Sequence, residues 1–189
     1  TLPAPIPAAA LNVPSQNFLG ETLNFSVSFQ NASPTDSGFG PYIDLFLPTI
    51  GIDGAGAATD DGISFTSASY LGAPIVSTVL TFDAAGQATH PYAKTSAGTP
   101  VIVTGTPGNQ LVVLQLPFGS FTPGQPTANI NVVTSLSNLA DANAALTIQA
   151  RGGFQFGADA LDNPTIDPTI IQSPAVSSSV TPILFKLTK

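Results

Sequence analysis

Gly20-Glu21-Thr22-Leu23-Asn24-Phe25-Ser26-Val27-Ser28-Phe29-Gln30-Asn31 decides the fold: Leu23, Phe25, Val27 and Phe29 alternate without error against Thr22, Asn24, Ser26, Ser28 and Gln30. Successive side chains of a strand point to opposite faces, so this segment has one apolar face and one wet face, as a half-buried antiparallel strand requires. The same residues on a helix would scatter the four large apolar groups around its circumference.

Working outward, Tyr42 to Leu47 reads as a second strand, bounded by Pro41 and Pro48, and Gly62 to Tyr70 as a third. Ile75 to Phe82, Thr99 to Thr104, Gln110 to Leu116, Ala128 to Thr134 and Leu146 to Ala150 continue the pattern, separated by Gly, Pro, Asn and Asp turns. Short strands at such spacing predict an all-β antiparallel sandwich with extended terminal segments. Only Leu136 to Ala145 has helical potential, one turn at most. The expected organisation is a Pro/Ala-rich connector over residues 1–10, the sandwich over 11–162, a Pro/Ser-rich connector over 163–179 and a terminal strand over 180–189.

That last strand has two expected fates. It folds onto its own sheet, or it is donated to a neighbour, since the connector before it can span roughly 55 Å when extended. In the second case main-chain hydrogen bonds supply affinity, and Ile183, Phe185 and Leu187 are the candidate partner-binding residues, filling apolar slots in the recipient.

Composition excludes several classes. Charged residues are 8% of the 189 and hydrophobic ones 43%, so the chain is neither disordered nor ordinary in its surface chemistry. Four basic residues (Lys94, Arg151, Lys186, Lys189) against eleven acidic ones give a net charge of -7, which argues against nucleic acid as a partner. No apolar run approaches the roughly 20 residues of a membrane helix, so membrane insertion is not expected. With no Cys there is neither a disulfide framework nor a thiolate metal site. An amino end without a basic start, in a chain without Met, is expected of an already processed or excised piece. The acidic, Lys-poor composition suits an extracellular life at a cell surface.

Residues that could carry chemistry are few. His90, the only histidine, lies in Ala88-Thr89-His90-Pro91 and is expected as an exposed, inert loop residue. No Gly-x-Ser-x-Gly elbow accompanies it. Glycosidic chemistry would need paired acids, but the sole Glu is Glu21 at a strand start, the Asp residues mostly fall in turns, and no Trp exists to stack a sugar. The expectation is that this is not an enzyme. Asp53, Asp60 and Asp61 frame a Gly/Ala-rich loop between two strands and are the candidate metal ligands, with calcium the only cofactor such oxygen donors suggest. Asp159, Asp162 and Asp167 form a second acidic group in the connector. Asp44, amid Tyr42-Ile43-Asp44-Leu45-Phe46-Leu47, needs a partner if buried. Glu21 or Asp44 could assist an amide cross-link from Lys186, though an edge lysine ordinarily guards against aggregation. The sequons at Asn24 and Asn31 match too short a pattern to carry function.

Gly20-Glu21-Thr22 before the alternating strand, Leu47-Pro48 at a strand end, Gly62-Ile63-Ser64-Phe65-Thr66-Ser67-Ala68, and Pro123-Gly124-Gln125 before Ile130-Asn131-Val132-Val133 together resemble the conserved-repeat modules (domain of unknown function 11 type) of large bacterial surface proteins. The resemblance spans roughly residues 18–188. It implies an immunoglobulin-like sandwich, tandem repetition, and a structural or adhesive role in a filament, stalk or adhesin, with neighbouring copies or modules as partners. The chain departs from the short module at Asp53 to Asp61, Asp83 to Gly98 and Gly152 to Asp159. The first two are the loops on which an alternative function, calcium-dependent binding of a glycan or host surface, would rest.

Overall fold

The computed structural model describes residues 4–53, 61–95, 97–157 and 171–185. Its strands are, in chain order, β1 (Pro7–Asn12), β2 (Gln16–Phe18), β3 (Thr22–Asn31), β4 (Gly38–Leu47), β5 (Ile63–Tyr70), β6 (Ala73–Pro74), β7 (Val76–Thr81) and β8 (Gln87–Lys94). There follow β9 (Pro100–Thr104), β10 (Gln110–Gln115), β11 (Ser120–Phe121), β12 (Ala128–Leu136), β13 (Leu146–Phe156), β14 (Ile171–Gln172) and β15 (Val176–Ile183). No helix forms among the described residues; the stretch from Leu136 to Ala145 passes through turns, with Asn143 at a φ of 66°.

One sheet has the order β1-β3-β12-β5-β6, and the facing sheet β2-β15-β13-β4-β10-β7, with β11 on β4 and β14 on β13. All pairings are antiparallel except β2 with β15. Leu23, Phe25, Val27 and Phe29 of β3 meet Ile43, Leu45 and Leu47 of β4 and Ile148 of β13 in the interior, all of them buried. Each of these side chains contributes about 1.5–3 kcal/mol relative to exposure, which is why the register of β3 is fixed. This is the sandwich that the alternation predicts, of the immunoglobulin-like kind that the resemblance implies.

A third layer is the departure from it. Tyr42, Asp44 and Phe46 project from the opposite face of β4, together with Leu111 and Val113 of β10, and this face too is covered. The cover is the β8–β9 hairpin, whose Ala88, Ala93 and Val103 build a second apolar cluster with Tyr42, Phe82, Leu111 and Val113. The insertion from Asp83 to Gly98, expected as a free binding loop, is largely this hairpin. Strand β4 is therefore buried on both faces, as a strand apolar on both sides requires, and Asp44 is the one charged group within it.

Two boundaries differ from the sequence expectation. Pro7–Asn12 is a strand and not a connector, because Asn31 holds it in register with β3: its Oδ1 accepts from the Ile6 amide at 3.1 Å, and Pro7 pairs with Asn31. Tertiary pairing here overrides weak local propensity. At the other end the stretch expected as connector already holds β14 at Ile171–Gln172 and the start of β15 at Val176, and β15 lies in its own molecule between β13 and β2, with Val180 opposite Leu146 and wholly buried.

The strand directions define two poles. Ile6, Asn31, Gly38 and Phe121 mark one, where the described chain begins. Thr22, Leu47, Ile63, Leu136, Leu146 and Ile183 mark the other, where it leaves through Leu184 and Phe185. The ten residues of β3 separate the poles by roughly 33 Å.

Candidate functional site

The only concentration of buried ionisable groups among the described residues lies between β4, β13 and the β8–β9 hairpin. Asp44 and Arg151 are direct cross-strand partners in the β4–β13 ladder, and Arg151 Nε donates to Asp44 Oδ2 at 2.8 Å. The other oxygen, Oδ1, accepts from His90 Nε2 at 2.7 Å. His90 Nδ1 accepts from the amides of Tyr92 at 3.0 Å and Ala93 at 2.8 Å, which places the ring hydrogen on Nε2. Residues 90–93 of β8 stand opposite Val101 alone, so the hairpin detours in order to insert this ring.

The surroundings seal the pair. His90 is 1% exposed, not the exposed loop residue that its Pro-flanked sequence suggests, because the hairpin turns it inward onto a carboxylate that needs a donor. Tyr42 packs on the His90 ring at 4.8 Å between centroids, and Gln172 donates to its hydroxyl at 3.0 Å. Burial, reinforced by the Asp44 charge, pushes the Tyr42 hydroxyl well above the ordinary tyrosine range. The Arg151 guanidinium lies 5.4 Å from the centre of the Phe46 ring. An Asp–His pair elsewhere activates a nucleophile. Here the second ring nitrogen already serves two backbone amides, so the arrangement latches the hairpin to the sheet.

Gly153, which the sequence left without a role, makes room for this layer, since a Cβ there would collide with the Tyr42 ring; Gly152 beside it does the same for the sandwich interior, where a Cβ would meet the Phe29 ring at 2.8 Å.

The other sequence candidates are dispersed. Asp53 is exposed, Asp61 is buried at 7% exposure, and Asp60 lies outside the described residues. So do Asp159, Asp162, Asp167, Lys186 and Leu187. Among the described residues no group of three or more potential metal ligands gathers. Glu21 is exposed at the exit pole, remote in the β3 ladder from Asp44. Ile183 pairs with Phe18 of β2, and Phe185, 72% exposed, lies against the Phe18 ring, tilted by 52° with the centroids 5.2 Å apart. Asn31 is buried with its amide fully engaged, accepting from Ile6 and Ser33 and donating to the Asp36 and Phe121 carbonyls.

No protein-family model and no curated protein matches the sequence. Among solved structures the chain is similar to AvmM, which catalyses macrocyclization in alchivemycin A biosynthesis, at 14% identity and a TM-score of 0.47, covering 97% of this chain and 91% of that one. It is similar to a cohesin module of a family 33 glycoside hydrolase from Clostridium perfringens at 7% identity and a TM-score of 0.42, over 96% and 99% of the two chains. A third is AggA, the major subunit of aggregative adherence fimbriae type I from Escherichia coli, at 10% identity and a TM-score of 0.31, over 93% and 94%. Likeness at this level is one of general sandwich form and says nothing of what this chain binds.

Proposed function

We propose that the chain is a non-enzymatic structural module of an extracellular bacterial surface filament, stalk or adhesin, joined pole to pole with neighbouring copies or modules. The observation that carries the reading is the exposed aromatic pair Phe18 and Phe185 at the pole where β2 and β15 end. Leu139 and Leu184 are exposed at the same pole. Apolar groups of this size, exposed together, mark contact surfaces more often than solvent-facing ones. Ile183 and Phe185 thus keep the partner-facing role that their sequence suggests, but from a strand that stays at home. Donating β15 would pull Val180 out of the core, so contact between poles is the economical joint.

The acidic, Lys-poor composition supports display outside the cell, and the sealing of His90 supports a role without acid–base chemistry. The likeness to conserved-repeat surface modules is part of this proposal. Light scattering tests it. The full chain should gain mass with concentration, and Phe18→Ser with Phe185→Ser should remain a monomer while unfolding at nearly the same temperature. A wild-type chain that stays monomeric at millimolar concentration, or a variant that associates as before, contradicts the reading.

A further inference from the structure

We infer that Asp61 is the anchoring ligand of a hard divalent cation of the calcium class, bound at the exit pole where β4 connects to β5. The inference stands apart from pole-to-pole assembly and is tested on the monomer. Asp61 is 93% buried, the complement of its 7% exposure, and its Oδ1 has no hydrogen-bond partner. A buried carboxylate oxygen without a donor is costly unless a cation or a donor answers it.

The described basic residues do not answer it. Arg151 is committed to Asp44, and Lys94 lines a cavity with Gln155 and Phe156 toward the opposite pole. Nor do the neighbouring amides: Gly51 donates to the Pro48 carbonyl at 3.2 Å, Gly62 to the Thr49 carbonyl at 3.0 Å, and Ile63 to the Pro48 carbonyl at 3.1 Å.

Two oxygens of Asp61 face one spot. The point at which a side chain on Gly51 would begin lies 2.6 Å from Oδ1 and 2.9 Å from the Asp61 main-chain carbonyl oxygen. A side chain at position 51 would crowd both oxygens, and the Gly51 φ of 67° disfavours any other residue. Two negative oxygen dipoles converging without a donor repel each other, and a cation beside them turns the repulsion into attraction. Asp53, exposed on the same connection, supplies a second carboxylate within the loop, and water completes the six to eight oxygens that calcium takes. Few protein ligands and one buried carboxylate correspond to the weak affinity of extracellular modules, a Kd on the order of 10⁻⁴–10⁻³ M.

The test is calcium titration of the full chain at constant ionic strength, read by calorimetry and by thermal unfolding. Calcium at ten times Kd should raise Tm by about 3–6 °C, magnesium should do less, and sodium chloride of equal ionic strength should do nothing. Asp61→Asn should abolish the calcium-dependent shift, and Asp53→Asn should weaken affinity several-fold. Should Asp61→Asn fail to fold, terbium luminescence on the wild-type chain, sensitised by its tyrosines and displaced by calcium, reads occupancy of the cation site directly. A wild-type chain with no calcium-dependent heat, Tm shift or terbium displacement overturns the inference. So does an Asp61→Asn chain that responds as the wild type does.

Discussion

Replacing His90 by Ala tests whether the Asp44 cluster is a latch. The substitution removes the donor to Asp44 Oδ1, leaves a fully buried carboxylate oxygen without one, and deprives the Tyr92 and Ala93 amides of their acceptor. It also empties the space against the Tyr42 ring. Losing a buried hydrogen bond to a charged group costs about 1.5–3 kcal/mol. For a chain of this size that is a fall of about 3–12 °C in Tm. Urea unfolding gives the free energy, and amide exchange locates it: protection should collapse in the β8–β9 hairpin before it changes in β3 and β12. A triple replacement of Asp44, His90 and Arg151 by Leu should recover most of the loss, since no charge is then left unpaired. A cost for His90→Ala below about 1 kcal/mol, the size of an ordinary solvent-exposed hydrogen bond, would refute the latch, as would exchange that rises uniformly over the sandwich.

Tyr42 makes the fold sensitive to alkali. Its folded-state pKa lies above its unfolded one, so the stability it contributes is complete below about pH 10 and falls as pH rises beyond that, at up to about 1.4 kcal/mol per pH unit; Tyr42→Phe should flatten this slope in urea titrations between pH 9 and 11. Asn31→Ala should cost about 2–4 kcal/mol, because four hydrogen bonds to Ile6, Ser33, Asp36 and Phe121 are lost together, and exchange should then show β1 released from β3 first.

Much of the sandwich was legible in the chain, and the reason is the strict period of two in β3 and in Ala128–Leu136, where one face is buried and the other wet. Strand β4 is legible as a strand between Pro41 and Pro48, but its burial on both faces is not read from the sequence. Nor is what covers it, because Gln87–Lys94 offers only Ala88, Tyr92 and Ala93 as apolar residues around Pro91, a weak signal for a strand. The buried cluster was half legible: Asp44 amid apolar residues called for a partner. Its partners come from 46 and 107 residues away, and no local pattern points to them. A cue did exist, since the chain has one His and one Arg, and a buried Asp can be answered by few others. Pro7–Asn12 escaped notice because its strand character comes from β3 and Asn31, not from its own Pro and Ala residues. Ile183 and Phe185 stand out in the sequence as side chains of a strand that folds home or is donated, not as part of a surface at one pole, and Phe18, in a three-residue strand too short to show a period, joins them only through the parallel pairing of β2 with β15.

Pole-to-pole joining is tested most directly by disulfide trapping, for which a chain without cysteine is well suited. Asp36→Cys marks the entry pole and Asn138→Cys the exit pole. Displayed together on the chain and oxidised in its assembly, they should give a ladder of covalent multimers, while either substitution alone should stop at dimers or monomers. Cross-linking that joins two entry-pole cysteines as readily as it joins opposite poles, or no ladder in an assembly that is otherwise intact, would contradict the account.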